Sequence, residues 1–272
     1  MERRCNDERG ISHDALSITL GGGTVMAEQS AISWTDATFN PWIGCTRVSP
    51  GCDHCYAARD NERRKWVSAW GAERRRTKTW NEPRKWNAKA AITGYRTRVF
   101  CASLADVFDN EVPDEWRNDL WTLIRETPNL RWMLLTKRIG NARKMLPQDF
   151  SRTTFPHVGI MATMVNQDEY DRDIGKLVAI NSAWRGISME PLLGPIFADD
   201  VSRAEVQWII TGGESGPHHR LTNPDWVRSL RDQCAILGIA FHHKQWGGTR
   251  QKQNGCEIDG QEYKEFPEAL AA

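Results

Sequence analysis

The 272-residue chain has no apolar run near the roughly 18 residues that a membrane-spanning helix needs. Its first residues carry Glu2, Asp7 and Glu8 among arginines and no apolar core, so they do not read as a secretory signal, and a cytoplasmic protein without a membrane role is expected. No G-x-G-x-x-G follows the first β-rich run, which weighs against a dinucleotide-binding fold. A second C-x2-C knuckle, the usual complement of a zinc ribbon, is missing too. Net charge is almost absent: 36 Lys+Arg stand against 35 Asp+Glu. A strongly basic or acidic partner surface is therefore not written into the chain as a whole.

What is present is uneven. Residues 59–98 hold 13 Lys+Arg and 4 Asp+Glu, a local balance of +9 that leaves −8 elsewhere, and Trp66, Trp70, Trp80 and Trp86 interleave with the cations. Aromatic rings among basic residues can track a phosphate backbone while stacking bases, so this segment is the candidate contact for a nucleic acid or nucleotide; the plainer reading is a solvated helix face. Residues 1–25, with the run Gly21-Gly22-Gly23, read as a flexible arm with Met26 as an alternative start.

From residue 26 to 248 short β-rich runs alternate with amphipathic helical patterns. The candidate strands are Ile32–Trp34, Arg98–Ser103, Arg131–Thr136, His157–Thr163, Trp184–Met189, Val206–Thr211 and Ile239–His243. Helices are expected after Pro113, after Asn166 and from Asn223-Pro224 to a stop at Gly238. This alternation predicts an α/β fold, a complete or partial β/α barrel of six to seven parallel strands. Residues 249–272 read as a peripheral tail, in which Cys256 is expected to be a lone exposed thiol, the alternative being a fourth ligand.

In such a barrel, chemistry gathers where the strands end at their C-terminal side. Ser103 and Asp106, Lys137 and Arg138, Asn166, Glu190, Glu214 and Lys244 recur at those ends. Asp106 suits an ammonium group or serves as a loop cap; Lys137 and Arg138 suit a carboxylate or phosphate; Asn166 suits a ribose hydroxyl or a helix cap. Glu190 places a carboxylate at the barrel mouth, Glu214 projects from a glycine turn, and Lys244 ends the last strand as a candidate substrate contact.

Seven cysteines are an odd number in a chain too long to need stapling, and three of them crowd together as Cys45, Cys52 and Cys55. The spacing C-x6-C-x2-C can hold three irons of a 4Fe–4S cluster and leave the fourth open, or hold zinc with His54 or a distant residue as the fourth ligand.

The ordered series Ile32-Ser33-Trp34-Thr35-Asp36, Asn40-Pro41-Trp42, the cysteine loop with Tyr56-Ala57, Ser103-Leu104-Ala105-Asp106-Val107-Phe108, Leu134-Leu135-Thr136-Lys137-Arg138, Met189-Glu190-Pro191-Leu192-Leu193-Gly194, Gly212-Gly213-Glu214-Ser215-Gly216 and Lys244-Gln245-Trp246-Gly247 resembles the phage-associated three-Cys-motif proteins, which in turn resemble the radical S-adenosylmethionine (SAM) superfamily. That superfamily usually spaces its cysteines C-x3-C-x2-C, and this loop is three residues longer, with His54 in place of an aromatic residue. The resemblance implies a radical-SAM-like partial barrel with a 4Fe–4S cluster on Cys45, Cys52 and Cys55. It implies SAM beside Asp106, Ser103, Lys137, Asn166 and His54, and catalytic roles for Glu214, Glu190 and Lys244. Reductive cleavage of SAM to a 5′-deoxyadenosyl radical, a reductase or flavodoxin-type electron donor and a methyltransferase-like partner protein come with it. The alternative is a zinc-stabilised nucleic-acid-binding accessory protein without catalysis.

Overall fold

A computed structural model describes residues 30–198 and 200–271, so the expected arm at residues 1–25 lies outside the described residues. Seven strands form one sheet: β1 Ala37–Phe39, β2 Arg98–Cys101, β3 Arg131–Thr136, β4 Val158–Thr163, β5 Trp184–Met189, β6 Trp208–Thr211 and β7 Ala240–His243. Every neighbouring pair is parallel and the spatial order follows the chain order. Crossovers that always step one strand onward in the same hand keep their helices on one face, so the sheet curls into a half-barrel around the other. The expected partial barrel is therefore the observed fold.

Six helices fill the crossovers: α1 Tyr56–Arg64 and α2 Glu82–Thr93, α3 Asp114–Glu126, α4 Ile139–Met145, α5 Gln167–Val178 and α6 Pro224–Leu237. Among the described residues, none is long and apolar enough to cross a membrane. Between β5 and β6 the crossover is irregular. The helix boundaries follow local chemistry. Asn223 accepts from the Asp225 amide and Pro224 fills the first turn, while Gly238 closes α6 in the left-handed region.

Strict alternation assigns the two faces of the sheet. Val99, Trp132, Leu134, Ile160, Ile187 and Ile209 point outward into the helix layer. Phe100, Met133, Met161, Trp184, Trp208 and Ile210 point inward and are joined by Trp34 and Leu270. Gly159 makes room for this inner cluster, since a Cβ there would lie 1.9 Å from the Trp184 indole.

Two expectations are corrected at the base of the barrel. Ile32–Trp34 is a turn, not a strand, held by the Ser30 amide on the Asp36 carbonyl at 2.8 Å and the Thr35 amide on the Ile32 carbonyl at 3.2 Å. Trp34 then serves as a plug, against Phe100 at 4.7 Å and Trp208 at 6.3 Å between ring centroids. Nor is the C-terminal stretch peripheral. The Glu265 amide donates to the Phe241 carbonyl, the His243 amide to that of Tyr263, and Phe266 and Leu270 pack against the inner cluster. Cys256 is buried in the same stretch rather than exposed.

Candidate active site

The plug closes the lower half of the barrel, and above it a cavity of about 480 Å³ opens at the C-terminal ends of the strands. Its floor is apolar, from Trp34, Phe100 and Leu135, and its wall carries the inward hydroxyls Thr38, Thr163 and Ser188. Cys45, Cys52, Cys55 and His54 line its mouth, together with Ser103, Asp106, Lys137, Glu190, Glu214 and Lys244. Ten of the eleven residues expected at the site therefore meet in one cavity.

The exception is Asn166. Its side chain accepts from the Glu169 amide at 3.0 Å as the N-cap of α5, so of its two expected roles the cap is the one the fold uses.

The cysteine loop leaves β1 at Asn40, a buried residue whose amide side chain donates to Ser103 Oγ at 3.0 Å and accepts from the Leu104 amide at 2.7 Å. Trp42–Ile43 then pairs antiparallel with Arg75–Arg76, and Gly44 turns with φ +109°, where a Cβ would lie 2.2 Å from the Glu73 carbonyl oxygen. A single 3-10 turn at Pro50–Cys52, capped by Ser49, brings Cys52 back toward Cys55, after which α1 begins at Tyr56.

Asp106 spends both carboxylate oxygens inside the protein. Oδ1 accepts from Thr136 Oγ1 at 2.7 Å and the Phe108 amide at 3.0 Å; Oδ2 accepts from the Lys137 amide at 3.0 Å and Arg138 at 3.3 Å. The structure thus corrects the expectation that this carboxylate receives a ligand's ammonium: it fixes the turn after β3. Arg138 is equally committed, donating to Cys45 Sγ at 3.2 Å and the Thr46 carbonyl at 2.6 Å. Burial and the neighbouring Asp106 carboxylate push the Cys45 thiol up to about 12 against the pull of Arg138. Lys137 differs, because its ammonium reaches only as far as Thr163 Oγ1, at 3.4 Å, and lines the cavity.

Glu190 and Lys244 form an ion pair at 2.9 Å, 13 % and 19 % exposed, with Ser188 donating to the other carboxylate oxygen at 3.4 Å. Tyr56 donates to the Ser103 carbonyl. Glu214 is gripped by Arg220 through two nitrogens and by His54 Nδ1 at 2.8 Å. Burial opposes its charge, but the donors Arg220 and His54 outweigh it and hold the carboxyl at about 2.

Sequence reasoning missed Arg220, Arg74 and Asp109. Arg74 and Asp109 pair at 2.7 Å with both side chains almost wholly buried behind the cysteine loop. Thr163 and Ser188 were legible as polar residues on the inward parity of β4 and β5, whereas Thr38 was not, because the first strand is expected at Ile32–Trp34.

In the basic Trp-rich segment three of the four tryptophans are engaged within the fold. Trp66 and Trp86 are buried, Trp80 packs under Arg76 at 4.2 Å, and Trp70 faces the cavity. Several of its cations are paired within the chain: Arg74 with Asp109, Arg76 with Asp119, Arg84 with Glu126 and Arg98 with Asp36.

Among the described residues, no three His, Cys, Asp or Glu side chains stand close enough to hold a single metal ion. A family model described as "Protein of unknown function (DUF5131)" matches residues 29–267. No curated protein and no solved structure matches the chain.

Proposed function

The chain belongs to that family, and from this premise we propose that it is an iron–sulfur enzyme of the radical SAM type acting on a nucleic-acid or nucleotide-related substrate. One observation carries the reading: three half-buried free thiols of a single loop line the same cavity as the polar ends of the strands, at the C-terminal mouth of a parallel half-barrel. The donor set suits a cluster better than zinc. Three thiols with an open cavity beside them leave one position for a ligand, whereas a structural zinc site closes with four protein ligands, and the His54 that would supply the fourth bonds Glu214 instead. Cys45, Cys52 and Cys55 would hold the cluster.

A cluster so held would supply one electron, received from an external reductant, for reductive cleavage of the SAM sulfonium. The protein's own groups do the rest. Lys137 offers a cation for a carboxylate or phosphate, beside the hydroxyls of Thr163 and Ser188. The Glu190–Lys244 pair holds a proton at Lys244 Nζ and a carboxylate that can accept one. Trp34, Phe100 and Leu135 exclude water from the floor. A cavity of about 480 Å³ admits a small molecule or one nucleotide, not a duplex, so a polymeric substrate must present a single nucleotide turned out of its stack. Arg59 of α1 and Lys137 bring positive charge to the cavity, while Arg47 on the cysteine loop is 69 % exposed and paired with Asp53.

The test is anaerobic reconstitution of the full chain with iron and sulfide. The expected product is brown, binds about four irons per chain through the three cysteines, loses them on Cys52→Ala, and yields 5′-deoxyadenosine from SAM under dithionite. A colourless chain that takes up no iron, or that binds one zinc instead, overturns the reading.

A further inference from the structure

The cysteine loop is tied to the barrel at two places by arginines, each backed by carboxylates. At its first half, Arg138 holds Cys45 Sγ and the Thr46 carbonyl, with Asp106 and Asp109 behind it. At its second half stands Arg220, which no motif marks. Arg220 Nη1 donates to Asp53 Oδ2 at 3.1 Å and Nη2 to the Pro50 carbonyl at 2.9 Å, so it spans the turn that carries Cys52. The same guanidinium forks onto Glu214, Nε to Oε2 at 3.1 Å and Nη2 to Oε1 at 2.6 Å, while the Arg220 amide donates to Oε2 at 2.8 Å. Glu214 Oε2 also takes His54 Nδ1, the residue before Cys55.

Glu214 itself cannot drift. The Gly213 amide donates to the Gln245 carbonyl at 2.8 Å, and the Glu214 carbonyl accepts from the Gly248 amide at 3.0 Å. A Cβ on Gly213 would lie 1.9 Å from the Trp246 carbonyl oxygen, so the loops after β6 and β7 touch backbone to backbone. Arg59 of α1 adds a further tie, donating to the Ser215 carbonyl at 3.0 Å.

We infer that Arg220 and Glu214 form a latch that fixes Pro50–His54 against the loops after β6 and β7, and that both are positioning residues for Cys52 and Cys55. The physical need is plain. Between Cys45 and Cys52 the chain has a single 3-10 turn, and the ion pair of Arg47 with Asp53 that crosses the loop is solvent-exposed at Arg47 and therefore weak, so the second half needs a tie from outside the loop. A bidentate arginine–carboxylate pair supplies direction as well as energy, and here it makes contact with backbone and side chain on the same turn. Glu214 thereby leaves the list of groups free to meet a substrate. The assignment extends the iron–sulfur reading, yet it concerns the metal-free chain as well.

The experiment is therefore run first without metal. The full-length apo protein is alkylated with iodoacetamide, and modification is followed by mass spectrometry at each cysteine in wild type, Arg220→Ala, Arg220→Lys and Glu214→Gln. Arg220→Ala and Glu214→Gln are expected to speed labelling of Cys52 and Cys55 about tenfold, the change for a local opening made that much more frequent, with Cys45 unchanged behind Arg138. Arg220→Lys, which keeps the charge but not the fork, is expected to fall between. Continued protection of buried Cys101 and Cys234 certifies the fold, and Glu214→Gln decides if Arg220→Ala does not fold. Wild-type labelling rates at Cys52 and Cys55 in both variants overturn the latch. Iron reconstitution of the same proteins is the second readout, with faster iron loss and an altered electron paramagnetic resonance signal expected in the variants. A wild type that takes no iron refutes the cluster but leaves the labelling result to judge the latch.

Discussion

Asp109 offers the sharpest test of how the site is supported, because it lies under the cysteine loop and is not among the residues that line the cavity. Its Oδ2 accepts from Arg74 Nε at 2.8 Å and Nη2 at 2.7 Å, and Arg138 stands 3.8 Å away. The side chains of Arg74, Arg138 and Asp109 are 3 %, 6 % and 2 % exposed, so Asp109→Ala leaves guanidinium charge buried with less than its due of negative charge. Breaking a buried pair by removing one partner costs about 3–5 kcal/mol. Arg74 keeps the Gly71 and Glu73 carbonyls and Arg138 keeps Asp106, which places the expected loss at the lower end, about 3 kcal/mol. For a domain of this size that lowers the melting temperature by roughly 6–12 °C. Urea unfolding followed by circular dichroism measures it, and the double variant Arg74→Met/Asp109→Leu, which removes both charges, is expected to be more stable than Asp109→Ala alone. An Asp109→Ala protein within about 1 kcal/mol of wild type would refute the view that this pair underpins the loop.

Three further outcomes follow from the same geometry. Gly159→Ala forces a methyl into the Trp184 indole and is expected to cost about 1–3 kcal/mol in the same unfolding assay, and an unchanged midpoint would show that the inner cluster has slack. Gly213→Ala meets backbone rather than a movable side chain, so the loops after β6 and β7 should part; faster amide hydrogen exchange at Glu214 and Gly248 is the readout, and wild-type protection there contradicts it. His242 and His243 are held neutral, His242 well below its ordinary value by burial and then by the positive charge of Lys264 and Lys244, and His243 at about 3 by burial and Lys264. Because the unfolded chain binds those protons near pH 6.5 and the fold does not, the stability is complete above that pH and declines as pH falls below it, by up to about 1.4 kcal/mol per pH unit for each histidine. Urea midpoints at pH 7.5 and 5.5 that coincide, or a His243→Asn variant with the wild-type slope, would disprove it.

The parts of this protein that were legible in its sequence are those that local pattern encodes. Runs of mostly apolar and β-branched residues marked β3, β4 and β5 to within a residue, since a strand buried on both faces is largely apolar. The cysteine spacing and the polar strand ends converged on one mouth, because a parallel half-barrel delivers every strand's C-terminal end to the same side. Ile32–Trp34 misled for a physical reason: β-branched and aromatic residues suit a strand and equally suit a plug, and the Ser30–Asp36 turn decided for the plug.

The tryptophans of residues 59–98 show the same limit of local reading in a form that bears on function. Arginine beside tryptophan is the composition of a base-stacking surface, and it is also the composition of a protein that stacks its own guanidinium on its own indole, as Arg76 does on Trp80 and Arg64 on Trp66 at 5.4 Å. The two differ only in whether the acidic partner belongs to the chain, and for Arg76 it does, at Asp119 43 residues away. Arg220 meets Asp53 across 167 residues and Arg74 meets Asp109 across 35, separations that leave no periodic trace. Ion pairs of that kind hold the cysteine loop from behind and beside. The thiols of the candidate site were thus legible in a motif, while the pairs that hold their loop are ones that only the fold brings together.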